Sequence, residues 1–230
     1  MILSAKEHGI GYDGLPIDDP TTTNSQQDIN HNVLFRQSDM GNWTPRSIFL
    51  DLEPGHINAM ESEDVGELFQ PNQLAYYNAS AATQTRAYYT TGKELPIAET
   101  LRKEAEQCDR VKDLILNGST YGGTGSGLTG LVTEHLELEY PKINLICNQV
   151  VPPPSMLGLD VVAIQNHVLS VPHKKWLVEL WYDNESLYRI CKSHLGIENP
   201  SFTDLNKLIA EQTSSLTSAR RFGGTANFNF

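Results

Sequence analysis

The chain has 230 residues, of which 39% are hydrophobic, so it is long enough to bury one sizeable core and we expect a single domain. Its formal net charge of −11 argues against binding to nucleic acid or to an anionic membrane, because both require a basic patch. Three well-separated cysteines, no leader-like start and no run approaching 18 apolar residues predict a soluble, cytosolic protein.

From the N-terminus, the predominance of Asp, Asn, Thr, Gly and Pro predicts a long surface loop over residues 11–45. A short strand at 47–52 then ends in a turn at 51–55, and an amphipathic helix is predicted over 91–108. The next predicted elements are a strand at 111–116, a helix to about Tyr140, a strand at 143–147, a helix at 161–170, a strand at 176–181, a helix at 185–195, and a long helix that opens near Ser201. This alternation predicts an α/β fold, in which a parallel sheet is covered by helices on both faces.

The segment 122–127, with the sequence GGTGSG, lies between the predicted strand at 111–116 and the helix after it. Glycines permit positive φ and the close approach of an anion, while a helix N-terminus offers free N–H groups and a positive dipole end. We therefore predict a phosphate cradle with added hydroxyl donors from Thr124 and Ser126, although an ordinary flexible turn has the same composition. No lysine follows as in a Walker motif, so a bound phosphate would depend on backbone amides and a metal ion.

Several separated motifs occur in the order and spacing found in tubulins. They are residues 7–10 (EHGI), 51–54 (DLEP), 92–94 (GKE), 122–127 (GGTGSG), 183–185 (DNE), 203–206 (TDLN) and 221–224 (RFGG). The chain therefore resembles a divergent tubulin over almost its whole length. Residues 51–55 and 102–105 look like β-tubulin, whereas 197–200 and 214–216 look more like α-tubulin, so no subtype is assigned.

The resemblance implies a Rossmann-like GTPase domain that binds GTP or GDP with Mg²⁺ at the carboxyl ends of its strands. The residues that match the family's phosphate-binding positions are Ser119, Gly122, Gly123, Thr124, Gly125, Ser126 and Gly127. By the same resemblance, Asn184 and Asn206 would hydrogen-bond the guanine edge, and Phe202 would stack on the base. Glu53, with Asp51, would face the Mg²⁺ directly or through water.

Each of these residues also has a simpler interpretation. Asn184 could cap a helix, Asn206 could be a solvated side chain, and Phe202 could anchor its helix in the core. Asp51 could be an ordinary strand-end residue and Glu53 part of a turn. The seven histidines show no metal-ligand spacing, so none is proposed as a ligand.

The chain also departs from the family pattern. It lacks the family's first strand, which in that sheet lies between the strands predicted at 47–52 and 111–116, and it lacks the intermediate and C-terminal domains. We therefore interpret residues 1–230 as an incomplete tubulin-type nucleotide-binding domain. Buried N–H and C=O groups facing the gap would each cost roughly 1–3 kcal/mol, which predicts that the chain expressed alone is insoluble or molten.

Three substitutions fall near the nucleotide. Tyr121 stands where the family has a glycine, and would be strained if that position required positive φ. The family's ribose-side motif corresponds to 161–166 (VVAIQN), in which Ala163 replaces a carboxylate. The loop that acts in trans on the neighbouring subunit corresponds to 224–229 (GTANFN), so its catalytic positions are Asn227 and Asn229. An amide replaces the aspartate there and cannot serve as a general base.

The sequence thus predicts a GTP-binding structural constituent of cytoplasmic microtubules, in contact with other tubulin subunits and with impaired GTP hydrolysis. The alternative is a non-hydrolysing protein that binds or caps a tubulin polymer, or a truncated paralogue without function.

Overall fold

The computed structural model describes residues 1–17, 29–38, 40–156, 158–170 and 177–223. Its α-helices are α1 (Ile2–Glu7), α2 (Pro54–Ser62), α3 (Gln84–Tyr89), α4 (Ile97–Glu106), α5 (Gly123–Glu139), α6 (Val161–Ser170), α7 (Asn184–His194) and α8 (Phe202–Arg221). Its strands are β1 (Phe35–Gln37), β2 (Trp43–Pro45), β3 (Phe49–Asp51), β4 (Leu74–Tyr76), β5 (Asp113–Ser119), β6 (Asn144–Val151) and β7 (Val178–Asp183). Short 3-10 turns lie at His31–Val33, Asp64–Leu68, Pro71–Gln73, Thr91–Glu94 and Pro154–Met156. In these residues, no helix combines the length and apolar character needed to cross a membrane.

Two parallel sheets form the centre of the fold. One has the strand order β5-β6-β7, and the other pairs β3 with β4. Helix α5 contacts both β5 and β3, so the two sheets share a covering helix. Among the described strands, β3 and β5 belong to different sheets and each pairs with one neighbour. The predicted α/β fold with parallel strands and covering helices is confirmed.

Side chains alternate along each strand, so the three-stranded sheet presents two faces, and both are covered by helices. Leu116 of β5 and Leu145 of β6 lie on one face and join the hydrophobic cluster that α5 contributes to. On the opposite face, Asn148 of β6 donates to Thr213 Oγ1 of α8 at 3.1 Å. Tyr182 of β7 packs there in a cluster with residues of α7 and α8. These two layers position the carboxyl ends of the strands between them.

The helices after β7 begin at side-chain caps that the sequence supplies. Ser201 Oγ accepts from the backbone N–H of Asp204 at 3.4 Å, and Asp204 Oδ2 accepts from the backbone N–H of Ser201 at 2.8 Å. This reciprocal pair is a capping box and confirms Ser201 as the N-cap of α8. Asp183 caps α7 in a similar way, because its Oδ1 accepts from the N–H of Glu185 at 2.9 Å.

The predicted loop over 11–45 is wrong in its second half. β1 and β2 pair there as an antiparallel hairpin, with Phe35 opposite Pro45, and Phe35 is fully buried. Strands of three residues are too short to show a period, so the polar composition of the region hid them. Residues 18–28 and 39 of this segment lie outside the described residues.

The predicted turn at 51–55 is the start of α2. Pro54 occupies the first helical position, where its missing N–H costs nothing. The predicted helix at 91–108 is a 3-10 turn followed by α4, and the predicted strand at 176–181 is β7, with Trp176 outside the described residues. The sequence did not predict α1, α3 or β4.

His8, just after α1, is buried among aromatic rings and has 3% of its surface exposed. Its ring lies 5.3 Å from that of Phe35 and 5.4 Å from that of Phe222, and neither ring nitrogen has a hydrogen-bond partner in the described chain. Burial lowers the pKa of His8 to about 4, helped by the positive charge of Arg221 and by His31 and opposed by Glu7. His8 is therefore neutral in the folded protein near neutral pH.

Candidate functional site

The glycine segment forms the start of α5 rather than a separate loop. Strand β5 ends at Ser119, Gly122 is the extended N-cap residue, and the helix begins at Gly123. Within the described residues, no side chain caps this end of α5 by a hydrogen bond. A helix of 17 residues thus presents its positive end, with the N–H groups of its first turn, beside the carboxyl end of β5.

The glycines are not needed here for positive φ, so this part of the prediction is wrong. Positive φ occurs in the described chain at five other glycines and at no residue of another type. Tyr121 therefore has ordinary backbone geometry, and the strain predicted for it is absent. The glycines serve close packing instead.

Two of the glycines lie against α3 and the segment before it. A Cβ on Gly123 would overlap the backbone of Ala81 and Ala82, and a Cβ on Gly127 would overlap the Cβ of Ala87. Gly130, farther along the same face of α5, lies against the ring of Tyr88. The spacing of three and four residues places all three on one side of the helix, where they allow α3 to approach α5 closely.

The other two glycines face a different neighbour. A Cβ on Gly125 would lie 3.1 Å from the Cβ of Ser119, and one on Gly122 would meet only Ser119 Oγ, at 3.9 Å. Gly122 therefore borders open space at the helix N-terminus. This is the part of the segment that an anion could approach.

The hydroxyl groups of the segment differ in availability. Ser126 is fully buried, its Oγ donates to Gly123 O at 3.1 Å, and its N–H donates to Gly122 O at 3.0 Å. The prediction that its hydroxyl adds a donor for phosphate does not fit this geometry. Ser119 Oγ accepts from Gly122 N–H at 3.5 Å, and Thr124 is half-buried at the mouth of the turn.

The backbone at 79–83 connects the end of β3 to the start of α5. The N–H of Ala79 donates to Leu52 O at 3.1 Å, and the backbone of Ala82 lies against Gly123. Asp51 and Glu53, the predicted metal ligands, flank Leu52 in the chain. Asp51 Oδ1 accepts from Glu53 N–H at 3.2 Å, and Glu53 is exposed. In the described ranges, no group of three or more His, Cys, Asp or Glu side chains converges as a metal site.

Tyr121 joins the glycine segment to α7. Asn184, the first residue of α7, donates from Nδ2 to the hydroxyl oxygen of Tyr121 at 3.5 Å. Asp183 is the N-cap of α7, so the alternative interpretation of Asn184 as the capping residue is wrong. The side chain of Asn184 is half-buried and lies beside the hydroxyl group of Tyr121.

The remaining predicted base-binding residues lie at the start of α8. Phe202 is 67% exposed, which excludes its alternative role as a core anchor, and Asn206 is also exposed. Leu205 between them is buried against Leu187 of α7, so packing holds this end of α8 beside α7. No hydrogen bond or ring contact found in the described residues joins Phe202 or Asn206 to the glycine segment. The predicted catalytic residues Asn227 and Asn229 lie outside the described residues.

Asn166 of α6 contributes to this region in a way that the sequence did not reveal. It is 2% exposed, and its Oδ1 accepts from Gln84 N–H at 2.8 Å. Its Nδ2 donates to Ala82 O and to Tyr121 O, both at 3.1 Å. The sequence placed Asn166 at the end of the segment that corresponds to the family's ribose-side motif but gave it no role of its own, because all of its partners are backbone groups.

Comparison with known proteins agrees with this geometry. The family model described as "Tubulin/FtsZ family, GTPase domain" matches residues 1–192. The chain is 37% identical over 230 residues to the tubulin alpha-3 chain of Saccharomyces cerevisiae, covering 98% of this chain and 51% of that protein. It is 37% identical over 232 residues to the tubulin alpha-2 chain of Eleusine indica, covering 98% of this chain and 51% of that protein. It is 38% identical over 237 residues to the tubulin alpha chain of Dictyostelium discoideum, covering 99% of this chain and 51% of that protein. The chain thus spans about half the length of the curated relatives it matches.

Proposed function

Because the chain belongs to the tubulin/FtsZ family through its GTPase domain, we propose that it binds GTP or GDP at the N-terminal end of α5 as a microtubule constituent. The observation that carries this proposal is the start of α5 itself. In the described part of the chain no side chain caps its N–H groups, and they lie beside the carboxyl end of the parallel strand β5. In open α/β sheets, this is where ligands bind.

The phosphates would lie against the backbone of 122–125, with Ser119 at the strand end. Gly122 leaves this space open, whereas Gly125 lies close to Ser119, and Gly123 and Gly127 pack against the region around α3. Ser126 would support the turn from within, since both of its donors are already used. Phosphate binding by backbone amides and a helix dipole requires no lysine.

The guanine base would lie between Asn184 and the start of α8. The half-buried Asn184 donates to the Tyr121 hydroxyl, while Asn206 and Phe202 are exposed. Amide side chains can both donate to and accept from the guanine edge, and an exposed aromatic ring can stack on the base. At 67% exposure, the ring of Phe202 is accessible to a base.

Asp51 and Glu53 would hold Mg²⁺ together with phosphate oxygens and water. Mg²⁺ is usually bound by one or two carboxylates plus phosphates rather than by a full protein cage, so two carboxylates at one strand end fit its chemistry. When bound, the ion would neutralise negative charge on the phosphates.

The proposed partners are other tubulin subunits, and the proposed location is the microtubule cytoskeleton of the cytoplasm. We expect hydrolysis to be impaired, because in the trans-acting loop Asn227 matches the family pattern but Asn229 carries an amide in place of the aspartate and cannot serve as a general base. The same substitution favours the second candidate, a protein that binds or caps a tubulin polymer without hydrolysing nucleotide.

Nucleotide titration of the full 230-residue chain tests the proposal. We expect GTP to bind at least tenfold more tightly than ATP, and Asn206→Ala to reduce that preference about tenfold, since one base hydrogen bond contributes about 1–3 kcal/mol. Lys207→Ala is the matched control, because Lys207 is a neighbouring exposed residue whose ion pair with Glu211 is long, at 4.0 Å. Equal affinities for GTP and ATP would contradict the proposal. Binding to tubulin dimers without any GTP binding would favour the second candidate.

A further inference from the structure

We propose that Asn166 is a positioning residue that keeps the anion site at the start of α5 open. The inference rests on the proposed nucleotide function and assigns a new role within that site. Asn166 lies on α6, outside the glycine segment, and its carboxamide connects two backbone segments that border the helix N-terminus.

The hydrogen bonds of Asn166 fix the spacing of these two segments. Ala82 lies against Gly123 on one side, and Tyr121 directly precedes Gly122 on the other. Both carbonyl oxygens accept from the same Nδ2 at 3.1 Å, so neither segment can move without losing a bond to a buried amide. Since the Oδ1 of Asn166 is also used by Gln84 N–H, the side chain can bind in one orientation only.

The direction of the two carbonyl groups matters for anion binding. Because the oxygens of Ala82 and Tyr121 point to Asn166, the negative ends of their peptide dipoles are turned towards α6. If they were released, either oxygen could turn to the N–H groups of 123–125, which the first turn of a helix leaves without a helical partner. It would then compete with a phosphate for those donors and add negative charge to the site.

The adjacent part of α6 provides a rigid support for this arrangement. A hydrogen bond of 2.8 Å joins His167 Nδ1 and Thr120 Oγ1, and Ser170 Oγ donates to Thr120 O at 3.5 Å. Asn166 therefore holds Tyr121 from a helix that is itself bound to the preceding residue. A carbonyl so restrained remains in place when the anion site is empty.

The test compares Asn166→Asp with Asn148→Asp in the full chain. Asn166→Asp keeps the acceptor for Gln84 but directs a second oxygen at the two carbonyl oxygens, which should release them. Asn148 is the matched control because it is also a buried amide, 3% exposed, and it bonds to Asn117 and Thr213 on the face of the sheet away from α5. The measured quantity is the ratio of the affinities for GTP and for guanosine, which lacks phosphates.

We expect the GTP-to-guanosine affinity ratio to fall about tenfold in Asn166→Asp, because one strong hydrogen bond to a charged group is worth about that much. The ratio should stay unchanged in Asn148→Asp. A general loss of structure would weaken both ligands together. If Asn166→Asp does not fold, Asn166→Ser decides the question by the same ratio, since a hydroxyl can satisfy only part of the three-bond set. Hydrogen exchange at the Gln84 amide of the ligand-free protein should be faster in Asn166→Ser and unchanged in Asn148→Asp.

An unchanged ratio in a folded Asn166 variant that still binds GTP would overturn the role of Asn166 alone. If the unsubstituted chain bound neither GTP nor guanosine, the proposed function would fail, and the purpose assigned to Asn166 would fail with it.

Discussion

Replacement of Gly127 by alanine tests whether the close packing of α5 against α3 requires a glycine at this position. A Cβ at this position would overlap the Cβ of Ala87 and approach Gln84 O and Tyr88 N to 2.9 Å. Two of these three contacts are with the backbone of α3, which cannot move aside as a flexible side chain does. Overpacking of this kind costs typically about 1–3 kcal/mol or more, whereas the better helix propensity of alanine returns up to about 1 kcal/mol. We expect a net loss of about 1–2 kcal/mol in the free energy of unfolding, measured by urea denaturation at constant m-value.

Gly55→Ala provides the control for helix propensity. Gly55 lies in the first turn of α2, it is exposed, and a Cβ there would meet no atom within 4 Å. This variant should be unchanged or more stable by up to about 1 kcal/mol. If Gly127→Ala were as stable as Gly55→Ala, the close approach of α3 and α5 would not depend on glycine, and our account of the segment would be refuted.

Two further predictions concern buried charge. Because the pKa of His8 falls from 6.5 to about 4 on folding, the stability that its neutral form contributes is complete above pH 6.5 and is lost between pH 6.5 and 4, by about 3 kcal/mol. Thermal unfolding across this range should show the loss. His8→Phe should remove the His8 part and leave that of His167, whose pKa burial also lowers, whereas the exposed His194→Phe should keep the whole loss. A flat profile for the unsubstituted chain would contradict the prediction. Arg36 pairs with Glu104 at 3.1 Å, with 12% and 11% of the two side chains exposed. Arg36→Ala should therefore lower the free energy of unfolding by about 3–5 kcal/mol, and replacement of both residues by methionine should lower it clearly less. Equal losses in the single and double variants, measured by urea denaturation, would show that the cost arises from packing alone.

The sequence predicted the long elements of the fold because they carry enough residues to show a period. α5, α6 and α7 were predicted close to their observed bounds and α8 close to its observed start, and the strands β5, β6 and β7 were predicted in place, with ends that differ by one to four residues. The strands that the sequence did not predict are short: β1, β2 and β4 have three residues each. These strands are stabilised by burial against distant residues, as Phe35 shows, and such burial leaves no local pattern.

For the site, the sequence located the segment but not the physical reason for its composition. The glycines were attributed to positive φ, whereas the structure shows that Gly127 is required by Ala87, a residue forty positions earlier in the chain. Such a reason depends on tertiary contacts and cannot be read from local composition. Asn166 could not be assigned for a related cause, because its partners are main-chain atoms that have no sequence signature.

The division of the glycines between two neighbours has a consequence for how binding and stability are connected. Gly123 and Gly127 bring the segment that contains Ala82 against α5, and that same segment is bonded to the end of β3. Any change that separates α3 from α5 therefore alters the distance between the proposed metal ligands and the proposed phosphate site. Gly122 has no such packing role, so Gly122→Ala should weaken GTP binding while leaving the free energy of unfolding unchanged within about 0.5 kcal/mol. Gly127→Ala should reduce both quantities together, and if it reduced stability while GTP affinity stayed constant, the α3–α5 contact would have no part in shaping the site.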